Sequence, residues 1–245
     1  MVERVDDIME RASEALASAS YIACESLCVK ALARARAAGD FDTMARVCLP
    51  LQESRRQLRH AAVDSGLCFV QTSLPRKGSD LTPGMYLAQP PMIGIEARRL
   101  REKAHAAGVP VLVVCREPMT QAGLWPIVAV GEGGLMDTVS YRVRIRPPEG
   151  VVPAETGITK DVMASPPDAA WMLAASEALG DAAIASVDPA APAAWRADDL
   201  LFALGAIPDH EKLHQRLADA CREAAAEPPI APRSRRPRHD DPTGF

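Results

Sequence analysis

The middle of the chain carries the pattern that most restricts its fold: two short apolar segments separated by one amphipathic helical segment. The segments 85–89 and 109–115 are rich in residues typical of strands, and 93–107 between them has helical spacing until Gly108 ends it. A βαβ unit of this kind pairs its strands in parallel through a right-handed crossover, and continuous apolar strands are covered on both faces. The pattern therefore predicts a mainly parallel sheet packed between helices.

Further segments near this unit also have the composition of strands. Residues 67–71 precede the unit, and 124–130 and 139–145 follow it, separated by the glycine-rich turn 131–134. In the last segment, apolar residues alternate with arginines, so one face of this strand is expected to contact water. A strand with one wet face suits the edge of a sheet.

Helical spacing of apolar residues dominates both ends of the chain, and proline-rich stretches interrupt it. In the third N-terminal helix, Pro50 is expected to kink the helix or divide it, because proline lacks an amide donor. We predict a mixed α/β (α+β) fold in which a helical hairpin and a third helix precede the sheet. The predicted segments are a helical segment over 1–65, an α/β segment over 66–148, a linker or long loop over 149–167, C-terminal helices over 168–226 and a disordered tail over 227–245.

The stretch 20–39, SYIACESLCVKALARARAAG, has a distinctive order of small and bulky packing residues. Cys24 and Cys28 are one helical turn apart, and the pair Ala31 and Leu32 follows one turn later. The stretch resembles the second helix of a tetratricopeptide repeat, and the resemblance covers one helical hairpin. It implies a TPR-like hairpin whose exposed side binds another protein.

The segment 209–214, DHEKLH, contains the spelling H-E-x-x-H. On a helix, His210 and His214 lie one turn apart and could share a zinc ion, while Glu211 could activate the bound water. A working site needs a third protein ligand, and the extended form of the motif places a histidine where this chain has Ala220.

The same six residues also fit the start of an ordinary amphipathic helix. In this interpretation Asp209 is the N-cap, His210 and His214 lie on or beside the buried stripe, and Glu211 faces water. The sequence favours this interpretation, so we predict no metal ligand, with His210 and His214 as the only candidates.

A second candidate site follows from the topology of the predicted sheet. In parallel α/β sheets, ligands bind outside the carboxyl ends of the strands. Gln89, Arg116 and Glu117 follow two such ends and would meet there if the strands are neighbours, forming a site for an anion or small molecule. The alternative is that Arg116 pairs with Glu117 or Glu96 and only closes a surface loop.

The charge and the short apolar runs argue against two classes of partner. A formal net charge of −4 gives no positive field to attract nucleic acid or an anionic membrane surface. The apolar runs are far too short to cross a bilayer, and the charged N-terminus does not have the form of a secretory signal. We therefore predict a cytoplasmic protein in which the six cysteines are reduced.

These patterns lead to two hypotheses about function. The first is a non-catalytic interaction or adaptor protein that uses its N-terminal helical segment to bind a protein partner or a second copy of itself, without a cofactor. The alternative is a small-molecule or anion-binding α/β domain, as a binding protein or an enzyme, whose site comprises Gln89, Arg116 and Glu117. The phosphate-binding and nucleophile motifs of nucleotide-binding proteins and hydrolases do not occur in the sequence, which favours the first hypothesis.

Overall fold

The computed structural model describes residues 3–77, 80–132, 138–152 and 161–228. Residues 229–245 of the predicted tail and residues 133–134 of the predicted glycine-rich turn lie outside these residues. In chain order the elements are α1 (Val5–Ala17), α2 (Tyr21–Ala38), α3 (Phe41–Asp64), β1 (Cys68–Gln71), β2 (Gly84–Ala88), α4 (Gly94–Ala106), β3 (Val111–Arg116), β4 (Trp125–Glu132), β5 (Thr138–Ile145), β6 (Val151–Val152), β7 (Val162–Met163), α5 (Ala169–Ala185), α6 (Ala193–Ala206) and α7 (Glu211–Ala226).

The predicted βαβ unit forms the centre of a five-stranded mixed sheet with the strand order β1-β2-β3-β4-β5. The pairs β1–β2 and β2–β3 are parallel, and α4 connects β2 to β3. The pairs β3–β4 and β4–β5 are antiparallel, which leaves β5 at the edge as its alternating arginines predicted. Inside the predicted linker, β6 and β7 form a separate antiparallel pair. The mixed α/β fold is thus confirmed, with parallel pairing confined to one half of the sheet.

Helices cover both faces of this sheet. Because successive strand residues point to opposite faces, each strand contributes to two cores. On one face Leu87, Leu112 and Ile127 pack with buried residues of the N-terminal helices α1–α3 and the C-terminal helices α5–α7. On the other face Tyr86 and Val128 pack against α4. The two helical ends of the chain therefore share one core.

Helix α3 runs without interruption from Phe41 to Asp64, with Pro50 inside it. The prediction allowed for a divided helix, because proline removes one backbone hydrogen bond. Val47, Cys48 and Leu51 on either side of the proline are all buried in the same core. The apolar stripe is therefore buried on both sides of Pro50, and the helix continues through the proline.

Helix α5 leaves space for a histidine of the α7 N-terminus. Gly180 lies against the fully buried ring of His210, and a Cβ at this position would overlap the ring carbons. We expect Gly180→Ala to destabilise the protein by about 1–3 kcal/mol, because the overlap outweighs the better helix propensity of alanine. Urea unfolding measures the change.

The matched control is Gly205→Ala in α6, where an added Cβ meets nothing. This substitution is expected to change stability by less than about 1 kcal/mol, in the stabilising direction. Equal stability of the two variants would show that His210 does not occupy the space beside α5.

Candidate functional site

The structure brings Gln89 and Arg116 together at the carboxyl ends of β2 and β3. One terminal nitrogen of Arg116 donates to Gln89 Oε1 at 2.8 Å, and the other donates to Asp161 Oδ1 at 3.0 Å. Trp125 completes the cluster: its ring lies under the guanidinium at 4.2 Å, and its Nε1 donates to Asp161 Oδ2 at 2.5 Å. Sequence reasoning missed both Asp161 and Trp125.

This cluster attaches Asp161 to two strands of the sheet, through Arg116 of β3 and Trp125 of β4. The Arg116 and Asp161 side chains are only 4% and 5% exposed, so the charge of the arginine is already matched inside the protein. Burial lowers the pKa of Arg116, while the Asp161 carboxylate acts in the opposite direction. Asp161 immediately precedes β7, so the ion pair holds the start of β7 at the carboxyl end of β3.

Glu117 does not join this cluster through its carboxylate. Its two oxygens accept hydrogen bonds from Arg142 on β5 at 2.9 and 2.7 Å. This pair lies on the surface, with both side chains more than a third exposed. The three residues proposed for the strand-end site therefore separate into a buried ion-pair cluster and a surface salt bridge.

The two histidines of the H-E-x-x-H motif are buried and face different partners. His214 Nδ1 donates a hydrogen bond to the carbonyl of His210 at 3.0 Å. His214 Nε2 accepts a hydrogen bond from Arg55 at 3.4 Å. Burial, together with the charge of Arg55, lowers the pKa of His214 to about 3. Both ring nitrogens of His214 are thus engaged within the protein.

His210 is the N-cap of α7, a role that the sequence assigned to Asp209. Its Nδ1 accepts a hydrogen bond from the amide of Leu213 at 3.3 Å, and its Nε2 lies 3.2 Å from Glu177 Oε2. Glu211, predicted to face water, instead pairs with the buried Arg59 of α3. Among the residues described by the structure, no group of three or more His, Cys, Asp or Glu side chains is arranged to hold a metal ion.

The buried His214 makes the stability of the protein sensitive to acid. The pKa of this histidine falls from the reference value of 6.5 in the unfolded chain to about 3 in the folded protein. Between these two pH values the unfolded chain therefore binds a proton that the folded chain does not. Lowering the pH through this window should therefore destabilise the protein by up to about 1.4 kcal/mol per pH unit. Urea unfolding at several pH values measures the slope.

We expect His214→Asn to show a shallower slope than the unsubstituted protein, because the variant loses this titration and keeps an amide donor for the His210 carbonyl. His60→Asn is the matched control, since His60 is exposed on α3 and its substitution should leave the slope unchanged. A slope that is the same in both variants would contradict the neutral buried state of His214.

A pocket of about 530 Å³ opens between the N-terminal helices and the α/β layer. It lies at the amino-terminal end of β3, whereas Gln89 and Arg116 lie at the carboxyl ends of β2 and β3. We call it the α2–α4 pocket, after the two helices that flank its mouth. Its apolar wall consists of Ile22, Val29, Leu58, Val109, Pro110 and Val111, and its charged side chains are Glu25, Arg55, Arg101, Glu102, His105 and Asp209.

An ion-pair network forms one side of the pocket. Arg55 Nε donates to Glu25 Oε1 at 2.8 Å, and His105 Nε2 lies 3.3 Å from Glu25 Oε2. Burial raises the pKa of Glu25, but Arg55 and His105 outweigh this effect, and the pKa falls to about 2. The same hydrogen bond to Glu25 raises the pKa of His105. The negative charge of Glu25 on this side of the pocket is therefore paired with the positive charge of Arg55.

Ser26 also contacts His105, which brings a serine, a histidine and a glutamate together. The Ser26 hydroxyl lies 3.5 Å from His105 Nε2, the same ring nitrogen that Glu25 contacts. A catalytic relay needs the acid on one ring nitrogen and the nucleophile on the other. The Ser26 hydroxyl also donates to the carbonyl of Ile22 at 2.9 Å. The arrangement consequently fits a binding surface rather than an activated nucleophile.

Arg101 and Asp209 also line the pocket. The Arg101 guanidinium donates to the carbonyls of Ala206 and Gly205 at 3.1 and 3.2 Å, near the C-terminus of α6. A second cavity behind these two side chains measures about 30 Å³, which is the size of one water molecule. Of these two cavities, the one of about 530 Å³ has room for an organic ligand.

Comparison of the chain with known protein families, with curated proteins and with solved structures finds no match. Within the part of the chain that the structure describes, no helix is both long enough and apolar enough to span a membrane.

Proposed function

We propose that this protein binds a small organic molecule in the α2–α4 pocket. The observation that carries the proposal is the pocket itself, whose volume of about 530 Å³ falls in the range of small-molecule sites, about 300–1,000 Å³. Such sites combine an apolar wall with a few placed polar groups. Val29, an exposed large apolar side chain, lies in this wall.

The α2–α4 pocket lies at the other end of the strands from the site that the sequence suggested. The strand-end residues Gln89 and Arg116 are engaged with each other and with Asp161, whereas the pocket lies at the amino-terminal end of β3. Binding of a protein partner by the N-terminal helices stays a prediction. One of these helices, α2, contributes Ile22, Ser26 and Val29 to the pocket.

The proposal is tested by screening a library of small aromatic and aliphatic fragments by ligand-observed NMR. The blocking variant is Ser26→Trp, which places a large side chain at the mouth of the pocket from an exposed helical position. The matched control is Ser13→Trp in α1. Both serines are exposed, and both donate to the carbonyl four residues earlier, at 2.9 Å for Ser26 and 3.0 Å for Ser13.

We expect the unsubstituted protein and the Ser13→Trp variant to bind the same fragments, and the Ser26→Trp variant to lose most of them. Fragments that bind all three proteins equally would place binding elsewhere and would contradict the proposal. Circular dichroism and thermal unfolding of both variants establish that they are folded.

A further inference from the structure

The acidic side chains of the α2–α4 pocket differ in whether they have a cationic partner within the protein, and this difference indicates what kind of ligand fits. Glu25 accepts from Arg55 and contacts His105, as described above. Glu102 at the rim accepts from Arg98 at 2.7 Å. Two of the three acidic side chains that line the pocket therefore have cationic partners within the protein.

The third acid, Asp209, is different. Its backbone carbonyl accepts a hydrogen bond from Arg59 of α3 at 3.0 Å, which fixes the position of Asp209. Its carboxylate makes no hydrogen bond and no ion pair with any residue in the described ranges. Because His210 takes the capping role at the start of α7, the Asp209 carboxylate is left to line the pocket.

The basic groups of the pocket are already engaged. Arg55 serves Glu25 and His214, and Arg101 donates to the two carbonyls at the end of α6, where the helix dipole is negative. Burial raises the pKa of Asp209, although the charge of Arg101 opposes this rise. A positive group on a ligand would supply the hydrogen bonds that this carboxylate lacks.

We infer that the ligand of the α2–α4 pocket is an organic cation, an apolar body carrying a protonated amine or amidine that donates to the Asp209 carboxylate. This inference rests on the proposed function. The apolar body lies against Val29, Val109 and Val111, and the cationic group reaches Asp209, which lines the same pocket. An anionic ligand would place its charge in a pocket that Asp209, Glu25 and Glu102 also line, where Arg55 already pairs with Glu25 and Arg101 already donates to the α6 carbonyls.

The inference is tested by titration calorimetry with three probes of the same shape: phenethylamine, 2-phenylethanol and phenylacetate. The proteins are the unsubstituted chain, Asp209→Asn and the matched control Asp64→Asn. Asp64 is exposed at the C-terminus of α3 and does not line the pocket. The Asp209→Asn variant removes the charge but retains the shape of the side chain and the backbone contact with Arg59.

We expect phenethylamine to bind more tightly than the alcohol and the carboxylate, and its affinity to fall about tenfold or more in Asp209→Asn but not in Asp64→Asn. The Asp209→Asn variant should unfold at no lower temperature than the unsubstituted protein, because the carboxylate that it loses has no hydrogen-bond or ion-pair partner among the described residues. A loss of phenethylamine binding can then be assigned to the charge.

Two other outcomes separate this inference from the proposed function. If phenylacetate binds most tightly, or if phenethylamine binds equally to all three proteins or does not bind, the ligand is not a cation held by Asp209. The pocket itself would still stand if Ser26→Trp removes fragment binding. If Ser26→Trp leaves every fragment bound, the proposed function fails together with the inference.

Discussion

Replacing Arg55 by methionine is expected to destabilise the protein by about 3–5 kcal/mol, because it leaves a buried carboxylate without its main partner. Arg55 and Glu25 are only 10% and 13% exposed, and the arginine also donates to His214. Without Arg55, His105 is the one remaining ion-pair partner of the Glu25 carboxylate among the residues that the structure describes. Urea unfolding at neutral pH measures the change in the free energy of unfolding.

The control for this prediction is Arg222→Met, which removes an arginine from an exposed pair with Asp219. Exposed pairs contribute about 0–1 kcal/mol, so this variant should remain close to the unsubstituted protein. The double variant Glu25→Met with Arg55→Met should lose less than the two single variants together, because it leaves no charge unpaired. Additive losses would contradict a direct Arg55–Glu25 interaction.

Arg116→Met is the second substitution with a large expected effect, again about 3–5 kcal/mol. It removes the partner of Asp161 and leaves this 5% exposed carboxylate with the Trp125 ring nitrogen. The loss also removes the contact between the sheet and Asp161, the residue before β7. Urea unfolding followed by circular dichroism measures the effect.

Arg142→Met is the comparison for this second prediction. Arg142 also pairs with a glutamate near the same strand end, but that pair lies on the surface. Its removal should change the stability by about 1 kcal/mol or less. Similar losses from Arg116→Met and Arg142→Met would mean that the Arg116 cluster is not a buried ion pair.

The strands and helices could be predicted because their signals are local. The apolar runs of β2 and β3 and the helical spacing of α4 lie within one βαβ unit, and the alternating arginines of β5 are visible in eight consecutive residues. Such patterns depend on which face of an element is buried, and neighbouring residues record this. The same holds for the burial of His210 and His214.

The partners of polar residues could not be predicted, because they come from distant parts of the chain. Asp161 lies 45 residues beyond Arg116, in a segment whose composition suggested only a loop. His210 becomes the cap of α7 because Gly180 leaves space for its ring and Arg59 binds the Asp209 carbonyl. No spacing in the sequence relates these positions.

The α2–α4 pocket was missed for the same reason. Its walls come from α2, α3, the end of α4, the start of β3 and the connection between α6 and α7. Each segment contributes one or a few side chains, and none of them forms a recognisable motif. The placement of Asp209 immediately before a capping histidine is the only local sign, and it becomes meaningful once the cap is known.

The most direct measurement of the central claim is methyl NMR of the protein labelled at isoleucine, leucine and valine, with a fragment from the screen added. We expect the methyl resonances of Ile22, Val29 and Val109 to shift, while those of Ile145, at the end of β5 far from the pocket, do not. Shifts confined to methyl groups outside the pocket, with Val29 and Val109 unchanged, would contradict the claim that the α2–α4 pocket is the ligand site.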